Sequence, residues 1–348
     1  MRAVYKKEPR ELVGNILVRP DAVCFEIESE SVGSCMWEMK TEWKSLDLEC
    51  LESTKKIRVR GVDVVICWLK NYPGHVFCYH PDLKTVFTVM TSILLKLFRV
   101  KDLNIHYNLD AANIPRPLTF FEKLPKWKTN GLFLVGTSVD SEDVKFLLNR
   151  FPPQIFFHTD CNITGNFDFL HLIKSKGTCH QEARWLEPSH ILKMSSEFRE
   201  FEESGFETED VIEFIRLWLE SDETKIKTFA VRIRAGLPNL LKSEVIRKTA
   251  AAPWDKTKRD MHHIFVSDYR GQRKVFFTSA EEAIDVERGD GLLASIHMSS
   301  DMFGFMVWHD RFPSRNRELK KIVEEQLAAS DPGSEDEAQH REILSHFE

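Results

Sequence analysis

The chain has 348 residues, of which 42% are hydrophobic and 29% are charged, a composition typical of a folded globular protein. Its formal net charge of −6 gives no overall attraction to nucleic acid or to an anionic membrane surface. No apolar run approaches the roughly 20 residues that cross a bilayer, and the first residues lack the apolar core of a signal peptide. We therefore expect an intracellular protein, cytoplasmic or nuclear, that binds neither nucleic acid nor a membrane.

Runs of β-branched and aromatic residues predict a β-rich region over residues 1–80. Proline, glycine and asparagine separate these runs, as expected for turns between strands. From residue 86 the pattern changes, because apolar residues recur at a spacing of 3.6 as far as residue 98. That spacing predicts an amphipathic helix.

Predicted helices and strands then alternate, so we predict a helix–strand region over residues 81–250. Two of these helices begin at Ser141 and Thr208, residue types that favour the N-cap position, and each has acidic residues in its first turn. The predicted strands begin 29, 23, 28 and 46 residues apart, at Leu103, Leu132, Ile155, Ala183 and Phe229.

The first three of these intervals fit the period of about 20–29 residues found in leucine-rich repeats. The predicted fold is therefore α/β (α+β), with leucine-rich-repeat-like helix–strand repeats flanked by β-rich N-terminal and C-terminal segments. Residues 251–313 predict β-hairpins, one of them turning at Gly271. Residues 314–348 predict a short helix followed by a disordered acidic tail.

The motifs of common enzyme classes are missing from the sequence, including the glycine-rich nucleotide loops, the G-x-S-x-G nucleophile turn and the H-E-x-x-H zinc motif. The seven cysteines form no C-x-x-C pair, which favours free buried thiols over disulfides or a zinc site. The adjacent His262 and His263 would point to opposite faces of a strand, so one metal site would rarely use both. We predict a non-catalytic protein without a metal or other cofactor.

Three stretches of the chain resemble the nematode F-box-associated proteins of type 2. The first is Trp185 with residues 190–194, and the second is a helix containing Trp218 followed by the strand at 227–231. The third is the β-rich region of residues 285–296 and 303–308. The similarity of order and spacing covers about residues 40–310 and is most characteristic over about residues 150–235.

The resemblance implies the substrate-receiving part of an SCF-type ubiquitin ligase, whose complete members bind Skp1 and a cullin through an F-box. The first 50 residues do not read as an F-box, so either it is encoded upstream or ligase docking has been lost. The alternative is a stand-alone binding module or decoy of the same fold. An enzyme whose site assembles only in three dimensions is a third reading.

A strand register predicts which residues a binding surface would present. Alternation places Leu103, Ile105, Ile155, Phe157, Val231 and Ile233 inside. The residues between them and just beyond them are then candidates for contacting a protein partner of unknown identity: Asn104, His106, His158, Asp160, Arg232 and Arg234.

Overall fold

A computed structural model of the chain describes residues 12–19, 22–29, 33–41, 51–70, 72–98, 100, 102–110, 116–122, 126–269 and 272–347. The chain divides into two compact units, unit 1 at residues 1–172 and unit 2 at residues 173–348. From the sequence we predicted four segments, at residues 1–80, 81–250, 251–313 and 314–348.

Within its described residues, unit 1 has a mixed sheet, three α-helices and a short 3-10 helix at Asp168–Leu172. Its strands are β1 (Val13–Val18), β2 (Val23–Ser29), β3 (Gly33–Lys40), β4 (Leu51–Val59), β5 (Val62–Leu69), β6 (Tyr72–Tyr79), β7 (Asp102–Asn108), β8 (Thr129–Asp140) and β9 (Pro153–Thr164). Its helices are α1 (Leu83–Phe98), α2 (Pro117–Phe121) and α3 (Ser141–Arg150). The strand order is β9-β8-β7-β1-β2-β3-β6-β5-β4.

Pairing in unit 1 is parallel from β9 to β1 and between β3 and β6. It is antiparallel between the remaining neighbours. The strands alternate between two faces, and helices contact the apolar one: Trp37 of β3 packs on Phe98 of α1 at 5.1 Å between ring centroids, and Tyr107 of β7 packs on Phe121 of α2 at 5.6 Å. We call this the helix face of unit 1 and the opposite one its open face.

Unit 2 contains a mixed sheet and a separate hairpin. Its strands are β10 (Gly177–His180), β11 (Phe198–Ser204), β12 (Thr228–Ile233), β13 (Ala252–Pro253), β14 (His262–Tyr269), β15 (Gln272–Ser279), β16 (Ile284–Glu287), β17 (Leu293–Met298) and β18 (Met302–Trp308). Its helices are α4 (Pro188–Lys193), α5 (Thr208–Glu220), α6 (Lys242–Thr249), α7 (Arg317–Ala329) and α8 (Glu335–Leu344). The sheet order is β13-β16-β17-β18-β12-β11-β10, and β14 pairs with β15 as the sequence predicted.

The predicted leucine-rich-repeat-like organisation is wrong, although the α/β class agrees with the structure. In unit 1 the early strand β1 pairs with β7 and continues the sheet through antiparallel β2, and in unit 2 the late strand β18 pairs antiparallel with β12. The predicted strand at residues 183–186 is a turn. Because an unpaired strand edge binds another strand readily, the β-rich segments complete mixed sheets instead of flanking a repeat.

The N-caps of α3 and α5 each lie one residue before the residue that the sequence predicted as the cap. Asp140 caps α3 by accepting a hydrogen bond from Glu142 N–H (2.9 Å), and Glu207 caps α5 in a capping box with Asp210. The predicted caps accept hydrogen bonds from other segments. Ser141 Oγ accepts one from the backbone N–H of residue 166, and Thr208 Oγ1 accepts one from the backbone N–H of residue 241. Both acidic caps also satisfy the positive end of the helix dipole.

The predicted disordered tail contains helix α8. Its N-cap Ser334 accepts from Glu337 N–H, and its acidic first turn suits a helix start. Near its end, Ile343 and Phe347 are buried against Val323 of α7. Two apolar residues four positions apart are a weak signal in a sequence, but the hairpin of β14 and β15 provides the surface that buries them.

The helices of the described residues include none that is both long enough and apolar enough to cross a membrane.

A buried arginine network joins the strands of unit 2. Arg259, which is 0% exposed, donates to both carboxylate oxygens of Asp285 at 2.9–3.0 Å. Ser295 Oγ donates to the same carboxylate at 2.7 Å and accepts from Trp308 Nε1 at 2.7 Å. Each side-chain polar group of this network has a hydrogen-bond partner, which is the condition under which buried charges are tolerated.

Asp285→Ala is expected to lower the free energy of unfolding by about 3–5 kcal/mol, because it leaves the buried guanidinium of Arg259 without a counter-charge. Urea denaturation followed by tryptophan fluorescence measures the effect. Glu325→Ala is the control, since it removes only an exposed pair with Lys321 and should cost less than about 0.5 kcal/mol. Equal costs for the two variants would contradict a structural role for the network.

Candidate functional site

Four of the six predicted surface residues share the open face of unit 1. Asn104 and His106 lie on β7, and His158 and Asp160 lie on β9; all four are half-buried. Strand β8 runs between them, and Phe133 of β8 lies opposite His106 on one side and opposite His158 on the other. The sheet therefore brings these four predicted residues onto one surface. Phe133, which was not among the predicted residues, lies between them.

Four rings on this face of the sheet form a continuous array, which we call the aromatic row: half-buried His106, Phe133 and His158, and buried Phe156. The rings of His106 and Phe133 are stacked, with 4.3 Å between centroids and an interplanar angle of 3°. Phe133 lies 6.1 Å from His158 and 6.0 Å from Phe156. Such spacing is typical of favourable aromatic pairs, so the row is held as a packed unit.

Gly131 makes room for the aromatic row. A side chain at this position would collide with the ring of Phe133 and with the amide oxygen of Asn104. Asn104 Nδ2 in turn donates to Asn15 Oδ1 at 3.1 Å, which joins the row to β1. Position 131 therefore needs a glycine for packing, without any unusual backbone angle.

Phe133 does not stand out in the sequence, because residues 132–135 are uniformly apolar. Strand alternation carried the missing signal: Leu132 and Leu134 are fully buried on the helix face, whereas Val135 is 40% exposed on the open face. Val135 lies opposite Asp160, so an apolar and an acidic side chain border the row. The uniformly apolar sequence of β8 thus contains one buried face and one partly exposed face.

An acidic group lies on the same open face, in the Glu38 cluster formed by Glu38, Lys40 and His75. Glu38 Oε1 pairs with Lys40 Nζ at 2.7 Å, and Glu38 Oε2 lies 3.0 Å from His75 Nε2. Cross-strand register places Glu38 three strands from His106, by way of Cys24 and Leu17. At the usual strand spacing this is about 14 Å.

The carboxyl of Glu38 remains ionised in this setting. Burial alone would raise its pKa, but hydrogen bonds from His75 and Lys40 and the charge of Lys40 outweigh burial. The pKa of Glu38 is therefore lowered from its ordinary value of 4.5. Glu38 thus carries a negative charge that Lys40 compensates, and at the usual strand spacing it lies about 14 Å from His106 of the aromatic row.

The two predicted arginines lie in unit 2. Arg232 of β12 is exposed and pairs with Glu202 at 3.8 Å. Arg234 follows the end of β12, is exposed, and donates its backbone N–H to Ser204 O at 3.1 Å. Of the inward residues, Leu103, Ile105, Phe157 and Val231 are buried, and Ile155 and Ile233 are half-buried.

Histidines and cysteines in the described part of the chain do not assemble a metal-binding group of three or more such ligands or carboxylates. His263 is buried, with Nε2 3.1 Å from Val307 O, while His262 packs its ring on His346 at 3.9 Å. Burial raises the pKa of Cys67 to about 11 and that of Cys78 to about 12, so both thiols stay protonated at neutral pH.

Comparison with known proteins gives a distant relative. No protein-family model matches the chain. No solved structure matches it. An uncharacterized protein of Caenorhabditis elegans, F59B2.8, is 22% identical over 251 residues, which cover 70% of this chain and 55% of that protein. The chain therefore spans about half the length of the curated relative that it matches.

Glu38→Gln is expected to lower the free energy of unfolding at pH 7 by about 1–3 kcal/mol, since it removes a charged hydrogen-bond partner of Lys40. Because the folded-state pKa of Glu38 is lowered, its stabilisation is present above 4.5 and is lost as the pH falls through that lower value. The difference between wild type and variant should therefore shrink below pH 4.5. Urea denaturation across this range measures it.

Glu52→Gln is the matched control, because Glu52 is an exposed residue of β4. Its effect on the free energy of unfolding should stay small at every pH. A loss from Glu38→Gln that is the same at pH 7 and at pH 3 would contradict the ionised cluster.

Proposed function

We propose that this chain is a non-catalytic protein-binding subunit and that the open face of unit 1 receives the partner protein. The observation that carries the proposal is the aromatic row, packed over Gly131 and bordered by Val135 and Asp160. A fixed array of rings with amide and carboxylate groups beside it is suited to binding a protein surface.

Each group on the open face contributes differently to binding a partner. Aromatic side chains are enriched where protein interfaces gain most of their binding energy, because they bury a large area with few rotatable bonds. His106 and His158 are packed against Phe133, so little conformational entropy is lost when a partner covers them. Asp160 supplies an acceptor at the border. A partner with an apolar anchor and a nearby donor or cation fits this surface.

The resemblance to F-box-associated proteins supports a more specific role, substrate recognition for an SCF-type ubiquitin ligase. In that role the bound protein would be the ligase substrate, and Skp1 and a cullin would join through an F-box. Such a role places the protein in the cytoplasm or nucleus. The alternative is a stand-alone binding module or decoy that uses the same face.

The double variant His106→Ala/Phe133→Ala is expected to reduce recovery of the partner by about tenfold or more, because truncating an aromatic anchor typically costs over 1.4 kcal/mol of binding free energy. The tagged full-length chain is purified from its native cells, and co-purifying proteins are quantified by mass spectrometry. His171→Ala/Phe146→Ala is the matched control, since it removes the same residue types from α3 and from the 3-10 helix after β9.

Two further readouts come from the same purification. Recovery of Skp1 and a cullin favours the ligase adaptor, and their absence with other partners retained favours the stand-alone module. Charge reversal at Arg232 and Arg234 tests whether unit 2 also contributes to binding. An unchanged set of partners in a folded His106→Ala/Phe133→Ala variant would overturn the assignment of the open face.

A further inference from the structure

A cleft of about 410 Å³ in unit 2 collects positive charge in an otherwise acidic chain. Four lysines and one glutamate contribute to its lining, and we call it the lysine cleft: Lys174, Lys176, Lys225, Lys227 and Glu197. Four positive charges and one negative charge give a local formal charge of +3, against −6 for the whole chain. Its volume lies in the range of small-ligand sites.

The floor of the lysine cleft is fixed by backbone hydrogen bonds. Its residues come from the segments that lead into β10, β11 and β12, which run in parallel. Glu197 N–H donates to Lys176 O at 2.8 Å, and Lys227 N–H donates to Glu197 O at 2.8 Å. Neighbouring segments are therefore held at about the 4.8 Å spacing of paired strands, and the lysines project from an ordered platform.

The charges of the lysine cleft are only partly compensated. Glu197 Oε2 pairs with Lys227 Nζ at 2.7 Å, so the single carboxylate of the lining is already engaged. Lys174 and Lys225 form no ion pair with another residue of the described ranges. Two ammonium groups are thus available to an incoming anion.

Ser175 is an independent sign of a ligand. Its side chain is 0% exposed and lines the cleft, yet its hydroxyl has no hydrogen-bond partner among the described residues. A buried polar group without a partner destabilises a folded protein, so such groups are rare unless something else satisfies them. The Ser175 hydroxyl can donate a hydrogen bond to an anion oxygen. Its two neighbours in the sequence, Lys174 and Lys176, also line the cleft.

We propose that the lysine cleft binds a phosphate group, either free or carried by a phosphorylated molecule. Ammonium groups from separate segments match the several oxygens and double charge of a phosphate monoester, and the Ser175 hydroxyl adds a short donor. The volume leaves room for the group to which the phosphate is attached. The proposal concerns unit 2 alone and does not depend on the function assigned to unit 1.

Titration calorimetry of the full chain tests the proposal, with inorganic phosphate and a phosphoserine peptide as probes and the unphosphorylated peptide as a blank. Lys174→Ala/Lys225→Ala should weaken binding by about tenfold or more. Lys320→Ala/Lys321→Ala on α7 removes the same charge outside the cleft and should leave affinity within about twofold. Circular dichroism verifies that each variant is folded.

Ser175→Ala separates a ligand contact from a structural role. It should weaken phosphate binding by about threefold or more while leaving the melting temperature of the free protein unchanged or higher, because the hydroxyl has no partner to lose. Tighter binding of the phosphoserine peptide than of inorganic phosphate assigns the group to a protein; similar affinities assign it to a free or small phosphorylated molecule. No saturable binding of either probe, or full binding by Lys174→Ala/Lys225→Ala, would overturn the proposal.

Discussion

The alternation of side chains between the two faces of a strand is the constraint on which unit 1 depends. Helices α1 and α2 pack on one face, through contacts such as Trp37 with Phe98 and Tyr107 with Phe121. On each strand, the residues next to these core residues in the sequence therefore point to the other face. The aromatic row and the Glu38 cluster lie there because their neighbours are required in the core. The proposed binding surface and the core thus use opposite faces of the same strands.

Much of this sidedness could be predicted from the sequence, because it is a local property. The period of two in residues 103–108 is strong enough to separate buried Ile105 from half-buried His106. The hairpin of β14 and β15 could be predicted equally well, since a glycine separates the two apolar runs of its sequence. The split within residues 132–135 was hidden, because both faces of β8 carry apolar residues and alternation leaves no contrast in polarity.

Pairing between distant segments could not be predicted in this way. Nothing local in β1 specifies its parallel partner β7, although the pairing places Asn15 within hydrogen-bonding distance of Asn104, 89 positions away. Pairings of this kind between distant segments form the mixed sheets. They are the reason that the repeat prediction was wrong. The lysine cleft has the same origin: its lysines come from two separate parts of the sequence, and backbone hydrogen bonds through Glu197 bring those parts together.

Site-specific crosslinking tests the central claim, that the open face of unit 1 receives a partner protein. A photo-crosslinking phenylalanine analogue is placed at position 133 in the aromatic row or at position 146 on α3, and the full-length chain is irradiated in its native cells. The account predicts a defined crosslinked protein from position 133 and not from position 146. Crosslinks of equal yield from both positions, or from position 146 alone, would contradict it.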